Sequence, residues 1–154
     1  MHLQGTFTVQ ADQQAVYDFL TDPARISPLI PDVMEVDIQD QDHFTVKAKV
    51  GISHIKGTMT MKLEITDRRP PVGTTVVGKG SGLASAVDMT TSFTLEPGEG
   101  GATVVNWQGG MKVSGKIAAF APQGLLDRVA KSNVDKLIDS VRGGIQAMAA
   151  GQST

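Results

Sequence analysis

The feature that most constrains this chain is its last quarter. From Leu125 to Met148 apolar residues recur in steps of one, three and four: Leu125, Leu126, Val129, Ala130, Val134, Leu137, Ile138, Val141, Ile145 and Met148. That spacing writes one continuous apolar stripe along a helix. The opposite face carries Asp127, Arg128, Lys131, Asp135, Lys136, Asp139 and Arg142. Asp127/Lys131 and Lys131/Asp135 stand four apart, where opposite charges on a helix meet. Pro122 suits a first helical turn. A helix from Pro122 to Arg142 is predicted, about 30 Å long at about 1.5 Å per residue. Such a stripe needs an equally broad apolar surface to lie on.

The residues before it supply one. His2 to Val9 alternates, with Leu3, Gly5, Phe7 and Val9 on one face, and reads as a strand. Asp12 is placed to cap a helix from Gln13 to Leu20, and Asp22 to cap a second short one that begins at Pro23 and ends near Ser27. Pro28 and Pro31 hold Leu29 and Ile30 in an irregular segment, because the residue before a proline is pushed out of helical geometry. From Val33 to Val113 the period is two almost throughout. Phe44, Val46, Ala48, Val50 and Ile52 share a face; so do Ile55, Gly57, Met59, Met61, Leu63 and Ile65; so do Leu83, Ser85, Val87, Met89, Thr91, Phe93 and Leu95. One apolar and one wet face mark an antiparallel sheet covered on one side. Turns are predicted at 40–42, 51–54, 68–73, 78–82 and 97–101, and such short links imply a meander. The reading is an α+β domain, residues 1–150, in which a curved seven-stranded antiparallel sheet grips one long C-terminal helix, with two short helices after the first strand. Residues 151–154 are expected to form a disordered tail.

Composition excludes several classes. The chain has 14 basic and 16 acidic residues, interspersed, so no basic run points to nucleic acid. It has no cysteine, which removes disulfides and thiolate metal sites. The N-terminal residues alternate and contain no apolar core of a signal peptide, and no run approaches the roughly 20 apolar residues of a membrane span. A cytoplasmic protein is expected.

A sheet curled over one helix leaves a space that is either filled or hollow. Aromatic residues make up only 5%, whereas there are seven methionines, with Met34, Met59, Met61, Met89 and Met111 on or beside predicted strands. Methionine is common on surfaces that accept varied apolar guests, and it is equally ordinary as core filler. The histidines, His2, His43 and His54, lack metal-ligand spacing; His43 beside Asp42 reads as a solvated turn, and His54 at the rim reads first as a solvated residue, though it is the one histidine to consider for a ligand's polar group. Asp32, Glu35 and Asp37 fit a solvated edge better than acid/base work. The Gly78-Lys79-Gly80-Ser81-Gly82 run lacks both the Gly-Lys-Ser/Thr ending and the following helix of a phosphate loop, so it reads as a turn or bulge.

The order and spacing of several motifs resemble the carbon monoxide dehydrogenase G-subunit family. They are Gly5-x-Phe7, Val16-Tyr17-x-Phe19-Leu20-x-Asp22-Pro23, Ile30-Pro31, Val50-Gly51 with Gly57, Gly78-x-Gly80-x-Gly82, and the segment from Gly115 to Val129. That family belongs to the START and Bet v 1-like helix-grip superfamily of lipid-transport and polyketide cyclase proteins. The chain departs from the family where glycine usually follows Ile-Pro, since Asp32 stands there. It also lacks the aromatic pair in the last helix and the long C-terminal extension that many members carry, so membrane contact is expected to be peripheral at most. The resemblance implies a non-catalytic accessory protein of a molybdenum-containing carbon monoxide dehydrogenase or related hydroxylase, with no cofactor of its own. Its cavity would hold a quinone or lipid, and it would help to link the enzyme to the membrane; molybdenum hydroxylase subunits are the partners so implied. The lining expected from the helix faces, the inward sheet face and the Pro28–Pro31 segment is Phe19, Leu20, Ile26, Leu29, Ile30, Val50, Ile52, Ile55, Met59, Leu83, Met89, Phe93, Met111, Phe120, Leu125 and Val129. Two other readings stand beside the carrier: a docking module with a vestigial cavity, and a cavity enzyme of the cyclase or hydrolase kind. An enzyme should place polar groups inward, and the inward faces offer Ser85 and Thr91, with Asn106 and Gln108 as further candidates. The sequence leaves the oligomeric state open.

Overall fold

In the computed structural model, which describes residues 1–152, the chain builds one antiparallel sheet of seven strands in the order β1-β7-β6-β5-β4-β3-β2. The strands are β1 (His2–Val9), β2 (Val33–Ile38), β3 (His43–Ile52), β4 (Ile55–Arg69), β5 (Gly73–Gly82), β6 (Ser85–Pro97) and β7 (Thr103–Gly115). From β2 onward each strand pairs with the next, the meander that short links dictate, and β1 joins the far side of β7. The helices are α1 (Gln13–Leu20), α2 (Pro23–Ile26), α3 (Lys116–Phe120) and α4 (Gln123–Gln152). Both predicted caps form: the Asp12 carboxylate accepts from the Ala15 N–H at 2.9 Å and the Asp22 carboxylate from the Ala24 N–H at 3.0 Å. Each satisfies an N–H that the first helical turn leaves unpaired.

Three expectations need correction. The long helix does not stop at Arg142 but continues to Gln152, so Gly151 and Gln152, expected in the tail, are helical; residues 153 and 154 lie outside the described residues. Within the helix Gly144 allows a close approach, because a methyl there would meet the Phe19 ring at 2.8 Å. Second, the run 78–82 is not a turn. It is the second half of β5, and the reversal falls on Leu83 and Ala84, both left-handed at φ 54° and 52°. Third, Asn106 and Gln108 face outward, paired with Thr6 and Gln4 of β1; the inward residue between them is Trp107, which covers Gly5.

A tie made by Arg68 fixes one end of the fold. Its guanidinium donates to Asp42 at 2.7 Å, to the Gln41 carbonyl at 2.6 Å and to the Thr21 carbonyl at 3.3 Å. The β2–β3 turn and the end of α1 are thereby joined through β4. Among the described residues the buried Tyr17 hydroxyl beside this tie has no hydrogen-bond partner, and burial raises its pKa above the ordinary phenol value while the nearby Arg68 charge opposes that shift.

Candidate functional site

The apolar side chains on the inner face do not form one even core. One cluster lies where α1 meets β1, β6, β7 and the second half of α4: Val9, Val16, Tyr17, Phe19, Phe93, Val105, Val141 and Ile145. A second lies at the opposite, hairpin end, where Ile52, Ile55, Met59 and Val87 meet Ile117, Ala121 and Leu126. A third, Phe44, Val46, Leu63 and Ile65, sits on β3 and β4. Between them the burial falls. In the sheet, Met61, Met89, Thr91, Trp107 and Met111 are only half-buried. Facing the sheet, α4 hides Leu126 near its start and Val141 and Ile145 further on, yet leaves Val129, Val134, Leu137 and Ile138 half-buried. A filled core hides its centre best. Here the centre is the exposed part, and α4 makes its main backbone approaches to the sheet at β1 and β3, towards the flanks.

Glycine gives the floor of this space its character. Gly78 and Gly80 point inward from β5, the middle strand, and present no side chain. Flexible neighbours occupy the room: a methyl on Gly78 would meet Leu63 at 2.8 Å and the ends of Met61 and Met89 at 3.1 Å, and one on Gly80 would collide with the Met61 sulfur. The methionines therefore lie over a bare strip of backbone, where rotation about three side-chain bonds can open or close the space.

The predicted lining divides between these regions. Phe19 and Phe93 are buried in the α1-end cluster, with Leu20, Ile26 and Leu29 packed against it; Ile30 and Met89 flank the β3/β4 cluster. Ile52, Ile55 and Met59 are buried at the hairpin end, where Val50, Leu83, Met111, Leu125 and Val129 are half-buried around them. Phe120 does not line the interior: it is 70% exposed, because α3 turns Ile117 and Ala121 inward and the residue between them outward. Met61 and Trp107 belong to the inner surface and were not among the predicted lining. Met61 was legible, since it alternates in step with Met59 and Leu63; Trp107 was not, because its parity depends on pairing with Gly5 and Phe93.

Two open depressions flank this region. One of about 430 Å³ lies between Leu29, Pro31 and Asp32 and the Lys136, Asp139 and Ser140 face of α4, beside the predicted irregular segment. The other, of about 340 Å³, lies over β1, β7 and β6 among the outward-facing Gln4, Thr6, Ser92, Thr94, Asn106 and Gln108. Among the described residues inward polar side chains are few: Thr91; Ser85, whose hydroxyl is engaged in accepting from the Ile117 N–H at 2.9 Å; and at the α1 end the buried Thr74 and Thr103, which donate to the Thr66 and Ala11 carbonyls at 2.7 Å each, with the Tyr17 hydroxyl. His54 lies exposed at the β3–β4 turn beside Ser53, and His43 pairs with Asp40 at 2.9 Å in the β2–β3 turn. Among the described residues no three His, Cys, Asp or Glu side chains converge on a metal position, and no helix is long and apolar enough to cross a membrane.

A sheet wound on one long C-terminal helix, short helices after the first strand, and a half-accessible apolar interior define the START-like helix-grip class. Within that class, the chain belongs to the carbon monoxide dehydrogenase G-subunit (CoxG) family, whose profile matches residues 5–146. The fold is shared with a conserved protein from Geobacillus kaustophilus at 23% identity and a TM-score of 0.84, over 94% of this chain and 95% of that one. It is shared also with a START superfamily protein from Mycobacterium smegmatis (10% identity, TM-score 0.72, 96% and 98% covered). A third is the ZhuI aromatase/cyclase from Streptomyces sp. R1128 (18%, 0.63, 95% and 93%). No curated protein matches the chain.

Proposed function

We propose that this protein is a non-catalytic carrier that holds an apolar molecule, a quinone or a lipid, between α4 and the sheet, in the service of a molybdenum-type carbon monoxide dehydrogenase or related hydroxylase. In that role it works in the cytoplasm and helps to link the enzyme to the membrane. The observation that carries the reading is the inverted burial of the interior, with closed ends and a half-accessible middle lined by methionine, valine, leucine and bare glycine backbone. Hydrophobic pockets with few polar groups suit ligands recognised by apolar area. Membership of the CoxG family supports the partner class.

A cavity enzyme is the second reading, favoured by the aromatase/cyclase fold among the structural relatives. Against it stands the poverty of the interior in acid, base or nucleophile: beside Thr91 and an engaged Ser85, the buried hydroxyls at the α1 end are those of Thr74 and Thr103, which donate to the Thr66 and Ala11 carbonyls, and of Tyr17, whose pKa burial raises. Native mass spectrometry of freshly purified protein, followed by organic extraction, tests the carrier. A reproducible apolar adduct is expected, lost in Val129→Asp, which places a charge on the half-buried inner face of the first third of α4. Protein that is empty and takes up neither ubiquinone nor menaquinone overturns the reading.

A further inference from the structure

The net charge of -2 conceals a strong asymmetry. From Phe44 to Leu63 the chain has Lys47, Lys49, Lys56 and Lys62 and no carboxylate; from Thr103 to Leu126 it has Lys112 and Lys116 and again none. The β5–β6 hairpin between them adds Lys79 against Asp88. Strand register and α3 set Lys49, Lys56, Lys79, Lys112 and Lys116 toward the hairpin end, with Lys47 and Lys62 nearer mid-strand. Lys62 stands opposite Lys79, Lys79 opposite Asp88, and Asp88 opposite Lys112, a row across four strands. Among the described residues none of these seven lysines forms an ion pair within 4.0 Å. At the other end the charges are mixed and paired: Asp42 and Asp67 lie against Arg68 and Arg69, Asp40 against His43, and Glu96 and Glu99 stand at the β6–β7 connection.

Like charges placed directly opposite on adjacent strands, as Lys62 and Lys79 are, weaken a sheet unless an anion neutralises them. The hairpin end carries the most exposed large apolar side chain, Phe120, on the helix that begins with Lys116. That helix is pinned to the hairpin, since the Lys116 N–H donates to the Ala84 carbonyl at 3.0 Å. Lys79 lies four residues before Leu83 of the turn, about 13 Å at about 3.3 Å per residue, beyond the screening length of about 8 Å in physiological salt, so the lysines nearer the turns carry the attraction. Basic side chains around a protruding aromatic ring match a negatively charged bilayer, where the ring enters the interface and the lysines meet phosphates. An acidic protein face would neutralise the lysines and leave the phenyl ring unexplained.

We infer that this hairpin end, which carries the exposed Phe120 and Lys116 on α3, Lys56 just after the β3–β4 turn and Lys112 near the end of β7, is a docking surface for an anionic lipid bilayer. It deepens the membrane-link reading and rests on that reading for its purpose. It also turns the hairpin-end cluster, and the half-buried Leu125 and Val129 behind it, toward the lipid.

The test is co-sedimentation of the whole protein with phosphatidylcholine vesicles, with and without about three parts in ten phosphatidylserine. Binding is expected only with the anionic lipid, and is expected to be lost on raising salt from about 0.1 M to about 0.5 M. Lys56→Gln/Lys112→Gln/Lys116→Gln should weaken it about a hundredfold, roughly fivefold per lysine. A second variant, Phe120→Trp, should show a blue-shifted emission on anionic vesicles alone. All four positions are exposed, so unchanged melting temperatures are the control. No binding to anionic vesicles, equal binding to neutral ones, or a triple variant that binds like the parent overturns the inference. Because extraction mass reads the carrier and sedimentation reads the docking face, either can fail without the other.

Discussion

Replacing Gly80 with alanine tests directly whether the interior is hollow. The new methyl would occupy the place of the Met61 sulfur, with the Val87 Cβ 3.3 Å away. Replacing a glycine inside a strand should itself stabilise by about 0.5–1 kcal/mol, because the unfolded chain loses freedom. In a filled core the displaced Met61 has nowhere to go, and forcing a methyl into packed side chains costs about 1–3 kcal/mol. In a hollow interior Met61, already half-buried, swings over the open strip and gives up only a few contacts. The expected result is a stability within about 1 kcal/mol of the parent, so the melting temperature moves by no more than about 2–4 °C. Gly73→Ala supplies the yardstick. Its methyl would strike the backbone carbonyl of Phe93, which cannot rotate away, so a loss at or above the upper end of the overpacking range, about 3 kcal/mol, is expected. Urea denaturation of both variants gives the two values, and methyl NMR of Met61 reports whether its rotamer changes. If Gly80→Ala costs as much as Gly73→Ala, and the Met61 signal stays in place, the interior is filled and the carrier loses its main support.

Two further predictions test local chemistry. Asp32 sits in the left-handed region at φ 60°, where an L side chain costs roughly 1–2 kcal/mol and a glycine costs nothing sterically. Set against the backbone freedom a glycine brings, about 0.5–1 kcal/mol, Asp32→Gly should raise stability slightly, whereas Asp32→Ala should lower it; a rise for alanine in thermal denaturation would refute the account. The His43 Nδ1–H donates to the Asp40 carboxylate at 2.9 Å, and that hydrogen bond raises its pKa above the ordinary histidine value, while the Asp40 carboxyl is lowered by the Asp42 N–H and by His43. The raised histidine contributes stability below its unfolded pKa and loses it as pH rises through the folded one; the lowered aspartate contributes above its unfolded pKa and loses it as pH falls. Both are fully exposed, so the effect belongs in an NMR titration rather than in a melting curve. Asp40→Asn should bring His43 back toward the ordinary value, and an unchanged titration would show that the turn hydrogen bond is not the cause.

Features that depend on near neighbours in the chain were legible in the residues alone. The two aspartate caps, the period-two strands and the apolar stripe of α4 follow from contacts between residues one to four apart, and all are present. The motif order was enough to place the chain in its family. The remaining features needed the assembled fold. Gly78 and Gly80 look like a turn until β4 and β6 bring Leu63, Met61 and Met89 over them. The close packing of Phe19 on Gly144 is set by how α1 lies against α4. Phe120 looks like lining until Ile117 and Ala121 take the inward positions of a short helix. The lysines look interspersed until register sets Lys62, Lys79 and Lys112 in one row around Asp88. In each case the deciding partner is distant along the chain, so its position depends on how the strands are paired, and no local pattern carries that information.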